Sequence, residues 1–228
     1  MISLYSGTPG SGKSLHVASR IYHGLRYGRL TVCNFEIVLQ YVKKKNSSKL
    51  PFYYLPNNEL NPDKLIEISR KHFKYKAFSE GHKKVRVKED DILLVIDECQ
   101  IMFNSRNWQQ SGRDQWLSFF SQHRKYGYEI ILVAQFDGMI DRQIRSLIEY
   151  EVIHRKANNF GWFGKVLTVL AFGNLFCAVQ MWYPLKERLG SEFFKAHKRY
   201  YRIYDTFAFF DKSDDEKQKK KEVLKLPS

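Results

Sequence analysis

The stretch Gly7-Thr8-Pro9-Gly10-Ser11-Gly12-Lys13-Ser14 constrains the fold of this chain more than any other. It fits the phosphate-loop pattern G-x-x-x-x-G-K-[ST] at every position. Its glycines let the backbone curl until several N–H groups point inward. Followed by the positive end of a helix, such a nest holds a β-phosphate. Lys13 is then expected to reach the β- and γ-phosphates, and the Ser14 hydroxyl to ligate Mg²⁺. The flanks agree: Met1-Ile2-Ser3-Leu4-Tyr5-Ser6 reads as a short apolar strand. Leu15, Ala18, Ile21, Tyr22 and Leu25 then recur at helical spacing up to Gly28. A bare glycine-rich turn is the competing reading, and the strand–loop–helix context argues against it.

A second stretch supplies what the loop lacks. Ile92-Leu93-Leu94-Val95-Ile96 is a continuous apolar run ending in Asp97-Glu98, the pattern of a strand buried on both faces. A carboxylate at such a strand end, here Asp97, holds Mg²⁺ opposite a phosphate loop. Glu98 is placed to orient or deprotonate an attacking water, which favours hydrolysis over transfer to another acceptor. Glu129-Ile130-Ile131-Leu132-Val133-Ala134-Gln135 is the next apolar strand. Gln135 at its end is expected beside Asp97, touching the γ-phosphate or the water, with a turn-forming amide as the alternative. Arg106, Arg124, Arg142 and Arg145 are candidates for stabilising transition-state charge, from the same chain or a neighbouring subunit. Arg124 and Arg142 come first because each lies near an end of a core helix. For any one of them a surface salt bridge is the favoured reading.

Between these landmarks the chain alternates strands and helices, which gives an α/β fold with a mostly parallel sheet. A strand is expected at 30–35, a short one at 52–55, helices at 113–126 and 141–147, and a strand at 150–155. Asn61 and Pro62 mark a helix start as cap and first helical residue. Residues 43–91 read as a basic elaboration within one domain spanning 1–210, because their apolar residues are too few for a second core. Residues 211–228 read as a charged, disordered tail. No charged residue occurs between Lys165 and Lys186. The stretch 166–183 is expected to form a hairpin about Gly173-Asn174, with a membrane span as the alternative.

The 228 residues carry 38 basic and 24 acidic side chains, a formal charge of +14, which points to an anionic partner: nucleic acid, an acidic membrane surface or nucleotide itself. Cys33, Cys99 and Cys177 are odd in number and widely spaced, so a disulfide framework is not expected and a reducing compartment is. With the loop starting at residue 7, no signal peptide is expected. Neither an H-E-x-x-H pair nor a zinc pattern nor a G-x-S-x-G elbow occurs. Aromatics beside basic residues, in Phe193-Phe194-Lys195 and Arg199-Tyr200-Tyr201-Arg202, could stack bases, with core packing as the favoured reading.

Taken together, residues 2–14, Val95-Ile96-Asp97-Glu98-Cys99-Gln100, Gln122-His123-Arg124-Lys125-Tyr126-Gly127 and Leu132-Val133-Ala134-Gln135 resemble the zonular occludens toxin (Zot)-like ATPase domains of filamentous-phage assembly proteins. Gly173-Asn174-Leu175-Phe176 and Tyr204-Asp205-Thr206 add to the likeness, which covers roughly residues 1–210. The resemblance implies a phosphate-loop ATPase fold related to DNA-pumping motors, with ATP and Mg²⁺ as cofactors. It implies work in virion assembly and export at the cytoplasmic face of the host inner membrane. Phage assembly and coat proteins and single-stranded DNA are the partners it suggests, and a ring-forming homo-oligomer is expected. Members of the family carry a transmembrane helix after this domain, whereas this sequence ends in a polar stretch. Membrane contact is therefore expected to be peripheral or through a partner, with a cytosolic fragment or variant, or a span at 166–183 itself, as the alternatives. A nucleotide-gated scaffold with little turnover is the alternative function. A small-molecule kinase is disfavoured by Glu98 and by the lack of an evident acceptor lid.

Overall fold

Runs of apolar residues too short for helices, and β-branched in large part, become the strands of one sheet. The computed structural model describes residues 1–42, 50–81, 84–104, 112–157 and 175–204. Six parallel strands are β1 (Ile2–Ser6), β2 (Leu30–Cys33), β3 (Phe52–Tyr54), β4 (Ile92–Ile96), β5 (Tyr128–Val133) and β6 (Tyr150–Lys156). Two more, β7 (Leu175–Trp182) and β8 (Glu187–Lys195), join antiparallel beyond β6. The order across the sheet is β3-β2-β4-β5-β1-β6-β7-β8. Strand β5 therefore lies between the strand that feeds the glycine loop and the strand that ends in Asp97.

Side chains alternate across the sheet and fill two separate cores. Ile92, Leu94, Ile96, Ile130 and Leu132 face one side, packed with helices α2 (Pro62–Ser79) and α3 (Arg113–Gln122). Leu93, Val95, Ile131 and Val133 face the other, packed with α1 (Lys13–Arg26). A short α4 (Arg142–Arg145) sits on the first side, and α5 (Lys198–Ile203) beside α1 on the second. Every side chain of β4 is fully buried. Each such aliphatic group contributes about 1.5–3 kcal/mol on leaving water, so a charge placed mid-strand would break the layer.

The local signals act as expected. Asn61 caps α2 by accepting the Lys64 amide at 2.9 Å, with Pro62 at the first helical position. The helix expected at 113–126 ends at Gln122, and 123–126 tighten into a 3-10 turn. The His123 ring donates from Nδ1 to the Phe120 carbonyl at 2.7 Å, and Gly127 turns left-handed at φ 72. This lets β5 start at once. The turn expected at Gly173-Asn174 lies outside the described residues, as do Arg106 and the 211–228 tail. The apolar residues 175–182 form a strand, and their hairpin partner is β8, reached across 183–186. Its mostly polar, exposed sequence hides β8 from periodicity, because backbone pairing with β7 makes it a strand. Among the described residues, no helix is long and apolar enough to cross a membrane.

Candidate active site

Where β1 ends, the chain folds into the glycine loop against the end of β5. The Gly7 amide donates to the Gln135 carbonyl at 3.1 Å, and the Ser11 amide to the Thr8 carbonyl at 3.1 Å. Gly12 closes the loop at φ 97, and a Cβ there would meet the Phe176 ring at 2.6 Å. Both facts require glycine at that position. The Gly12 carbonyl then accepts the His16 amide at 3.0 Å and α1 begins.

Lys13 lies over its own loop. Its ammonium donates to the Gly7 carbonyl at 2.6 Å and the Thr8 carbonyl at 3.2 Å. Burial lowers its pKa, while the nearby Glu98 and Asp97 carboxylates oppose that shift. No carboxylate pairs with it among the described residues. Its charge is held by neutral carbonyl dipoles, which an incoming phosphate outcompetes. The Ser11 hydroxyl is buried without a hydrogen-bond partner in the same loop. An orphaned buried hydroxyl, a cation held only by neutral carbonyls among the described residues and a left-handed glycine turn together fit a phosphate.

Across β5, Asp97 leaves the tip of β4. Asn34, just past β2, fixes its backbone from both sides: Asn34 Oδ1 accepts the Asp97 amide at 2.7 Å, and Asn34 Nδ2 donates to the Asp97 carbonyl at 2.9 Å. Asp97 Oδ1 accepts the Glu98 amide at 2.9 Å, and Oδ2 accepts the Tyr204 hydroxyl. Burial raises the Asp97 carboxyl above its ordinary value, and the Tyr204 and Glu98 hydrogen bonds pull it back. Tyr204 is itself pushed far up by burial and the adjacent carboxylate, so it stays a donor. Glu98 takes a left-handed backbone at φ 47, which turns its exposed carboxylate away from the strand line. Gln100 Nε2 donates to that carboxylate. Ser14 and Asp97 supply one hydroxyl and one carboxylate, the hard oxygen set that suits Mg²⁺ when phosphates complete the shell.

The two favoured arginines are not brought to the loop. Arg124 precedes β5 and pairs with Glu149 at 2.6 Å, next to the amino terminus. It sits at the opposite end of the parallel sheet and cannot reach the loop of its own chain. Being near a helix end did not determine which end of the sheet it would occupy. Arg142 is exposed at the start of α4, where no contact with the loop is made among the described residues.

Several neighbours of the loop carry no motif. His16 Nδ1 and His154 Nε2 lie 2.9 Å apart, and His154 Nδ1 lies 3.2 Å from the Ser6 carbonyl. Burial pushes the two rings down to about 4 and about 3, respectively, so both are neutral. His154 then donates to Ser6 and accepts from His16. Lys156, at the end of β6, brings its ammonium to 3.8 Å from where a Gly10 Cβ would stand. Phe194 packs on His16 with ring centroids 4.9 Å apart, and Tyr200 is buried, so core packing accounts for both. Phe193 and Tyr201 instead face solvent. Asn34 and Lys156 lack a local pattern that could have singled them out, while Phe176 and Tyr204 lie in segments that added to the family likeness without a role attached to either residue.

Comparison with known proteins bears on the family and the fold. The profile of the family described as Zonular occludens toxin (Zot) matches residues 1–206. The Gene 1 protein of Enterobacteria phage I2-2 is 27% identical over 179 residues, covering 76% of this chain and 46% of that protein. The Gene 1 protein of Salmonella phage IKe is 28% identical over 179 residues, with the same coverage of 76% and 46%. The chain thus spans less than half the length of these relatives. Among solved structures, the N-terminal domain of zonular occludens toxin from Neisseria meningitidis superposes with a TM-score of 0.53 at 16% identity, covering 90% of this chain and 98% of that one. At that identity the likeness concerns the fold, a phosphate-loop NTPase sheet with flanking helices.

Proposed function

The chain belongs to the Zot family, and from that premise we propose that it is an ATP-hydrolysing motor of filamentous-phage assembly and export. ATP sits on residues 7–14 with its β- and γ-phosphates on Lys13. Ser14 and Asp97 would hold magnesium, which would supply charge neutralisation at the phosphate oxygens. Glu98 takes a proton from the water that attacks the γ-phosphorus. The bond to the bridging β–γ oxygen breaks, and ADP and inorganic phosphate leave. The observation that carries this reading is geometric: one strand separates the glycine loop from Asp97 and Glu98, and the Lys13 ammonium rests on the Gly7 and Thr8 carbonyls, paired with no carboxylate among the described residues.

The work done with that energy rests on the relatives, two of which are phage Gene 1 proteins. We assign the protein to the cytoplasmic face of the host inner membrane, among phage assembly and coat proteins. The charge of +14 supports an anionic partner such as single-stranded DNA. A homo-oligomer lets a neighbour supply an arginine, since none contacts the loop among the described residues; Arg106, Arg142 and Arg145 are the candidates left, with Arg142 exposed.

The test is steady-state ATP hydrolysis with and without single-stranded DNA, together with mass measurement in ATP. Turnover that Lys13→Ala and Glu98→Gln abolish is expected. Turnover surviving both variants would remove this site from the mechanism. Tight ATP binding without turnover, with DNA and partners present, would turn the reading toward a nucleotide-gated scaffold.

A further inference from the structure

We propose that Tyr204 is a positioning residue for the metal-side carboxylate, tying the end of α5 to the nucleotide site through Asp97. The proposal rests on the reading of Asp97 as a magnesium ligand. The Tyr204 hydroxyl donates to Asp97 Oδ2, a contact between residues 107 positions apart in sequence. The Glu98 amide occupies Oδ1. Each carboxylate oxygen can accept twice, so one donor on each leaves one acceptor site per oxygen for a metal or its water. The two donors fix the plane of the group without filling it.

The hydroxyl is delivered by a rigid support. The Tyr204 ring packs on Phe35 with centroids 4.4 Å apart. The Ile203 carbonyl accepts the Val38 amide at 3.0 Å. One turn earlier in α5, buried Tyr200 meets the Tyr22 ring at 5.7 Å and places its hydroxyl 3.0 Å from His23 Nε2 on α1. Tyr204 is therefore held by the segment after β2 and by the helix that starts in the glycine loop. A shift of α5 would move the hydroxyl and release Asp97 Oδ2. Conversely, metal binding at Asp97 favours the docked position of α5. Residues that orient a metal ligand from behind typically account for about 10–100-fold in metal affinity.

The test uses the full chain and fluorescent ATP, with Mg²⁺ titrated and binding, not turnover, as the readout. Tyr204→Phe removes the hydroxyl and keeps the ring on Phe35. It is expected to raise the half-saturating Mg²⁺ about 10–100-fold, while nucleotide affinity in EDTA stays at the native value. Introduced into Asp97→Ala, which removes the acceptor, Tyr204→Phe should add nothing, because the two act through one contact. An unchanged or lowered Mg²⁺ requirement in Tyr204→Phe would overturn the positioning role, the lowered one by making Tyr204 a competitor of the metal. A further loss in the Asp97→Ala background would overturn it as well, since Tyr204 would then act elsewhere. If Asp97→Ala alone kept the native Mg²⁺ requirement, the metal-side reading of Asp97 would fall first and take the proposal with it.

Discussion

At the amino ends of the parallel strands, charges meet charges. The amino terminus pairs with Asp90 at 3.0 Å, and Arg124 with Glu149 at 2.6 Å, while Glu149 also accepts the Ile2 amide at 3.1 Å. At the carboxyl ends the same residue types stay apart. Lys13 rests on loop carbonyls, Asp97 on an amide and a phenol, and Glu98 on the amide group of Gln100. The first arrangement is complete as it stands. In the second, a cation and two carboxylates are held by neutral partners, which leaves their charge available to phosphate and metal. The comparison shows where stability and chemistry divide along one sheet.

Substitutions at the two ends should therefore differ in kind. The largest effect is expected at the carboxyl end, where Glu98→Gln should lower hydrolysis about 10²–10⁴-fold with ATP binding retained, measured by phosphate release and fluorescent-nucleotide titration. Lys13→Ala should cost about 10²–10³-fold with an unchanged melting temperature. Comparable losses from Arg124→Ala would break the comparison.

Two glycines sharpen it. Gly12→Ala forces a methyl against Phe176, and Gly127→Ala forces one to 2.6 Å from the Phe73 ring at φ 72. Each should cost about 1–3 kcal/mol. The first cost is expected in nucleotide affinity, since the loop must deform. The second is expected in denaturant unfolding, with nucleotide affinity per folded molecule unchanged.

The histidine pair beneath the loop predicts an acid response. Both rings have folded pKa values lowered from 6.5, to about 4 for His16 and about 3 for His154. The neutral forms are favoured by folding, so stability is full above pH 6.5 and falls as the unfolded chain takes up protons that the folded chain refuses. Well below pH 6.5 each ring contributes a slope of about 1.4 kcal/mol per pH unit. Urea unfolding between pH 7 and 4 checks this, and His154→Gln should flatten the profile. The smallest effect belongs to the amino end: Arg124→Ala, a pair open to solvent, should change stability by less than about 1 kcal/mol.

Much of the carboxyl end was legible in the residues. The glycine loop, the acids after β4 and the glutamine after β5 each follow a short, mostly apolar strand. At the amino end Arg124 makes the salt bridge that was its favoured reading, and only the sheet order showed at which end it stands, because helix periodicity locates a residue within its helix and not within the sheet. The 52–54 strand and the capped start of α2 were readable, since their signals lie within a few residues. Strand β8 was not, since it takes its conformation from β7.

The sequence by itself determined the phosphate loop, the buried strands, the acids at the end of β4 and the family to which they belong. Those features are local or periodic, and a few adjacent residues suffice to specify each. Only the tertiary structure decided that β5 separates the loop from Asp97, that Phe176 closes on Gly12, and that Tyr204 holds Asp97 from behind. Each of these joins residues more than 30 positions apart in sequence. Such contacts arise from the order in which strands enter the sheet, and no short stretch of sequence encodes that order.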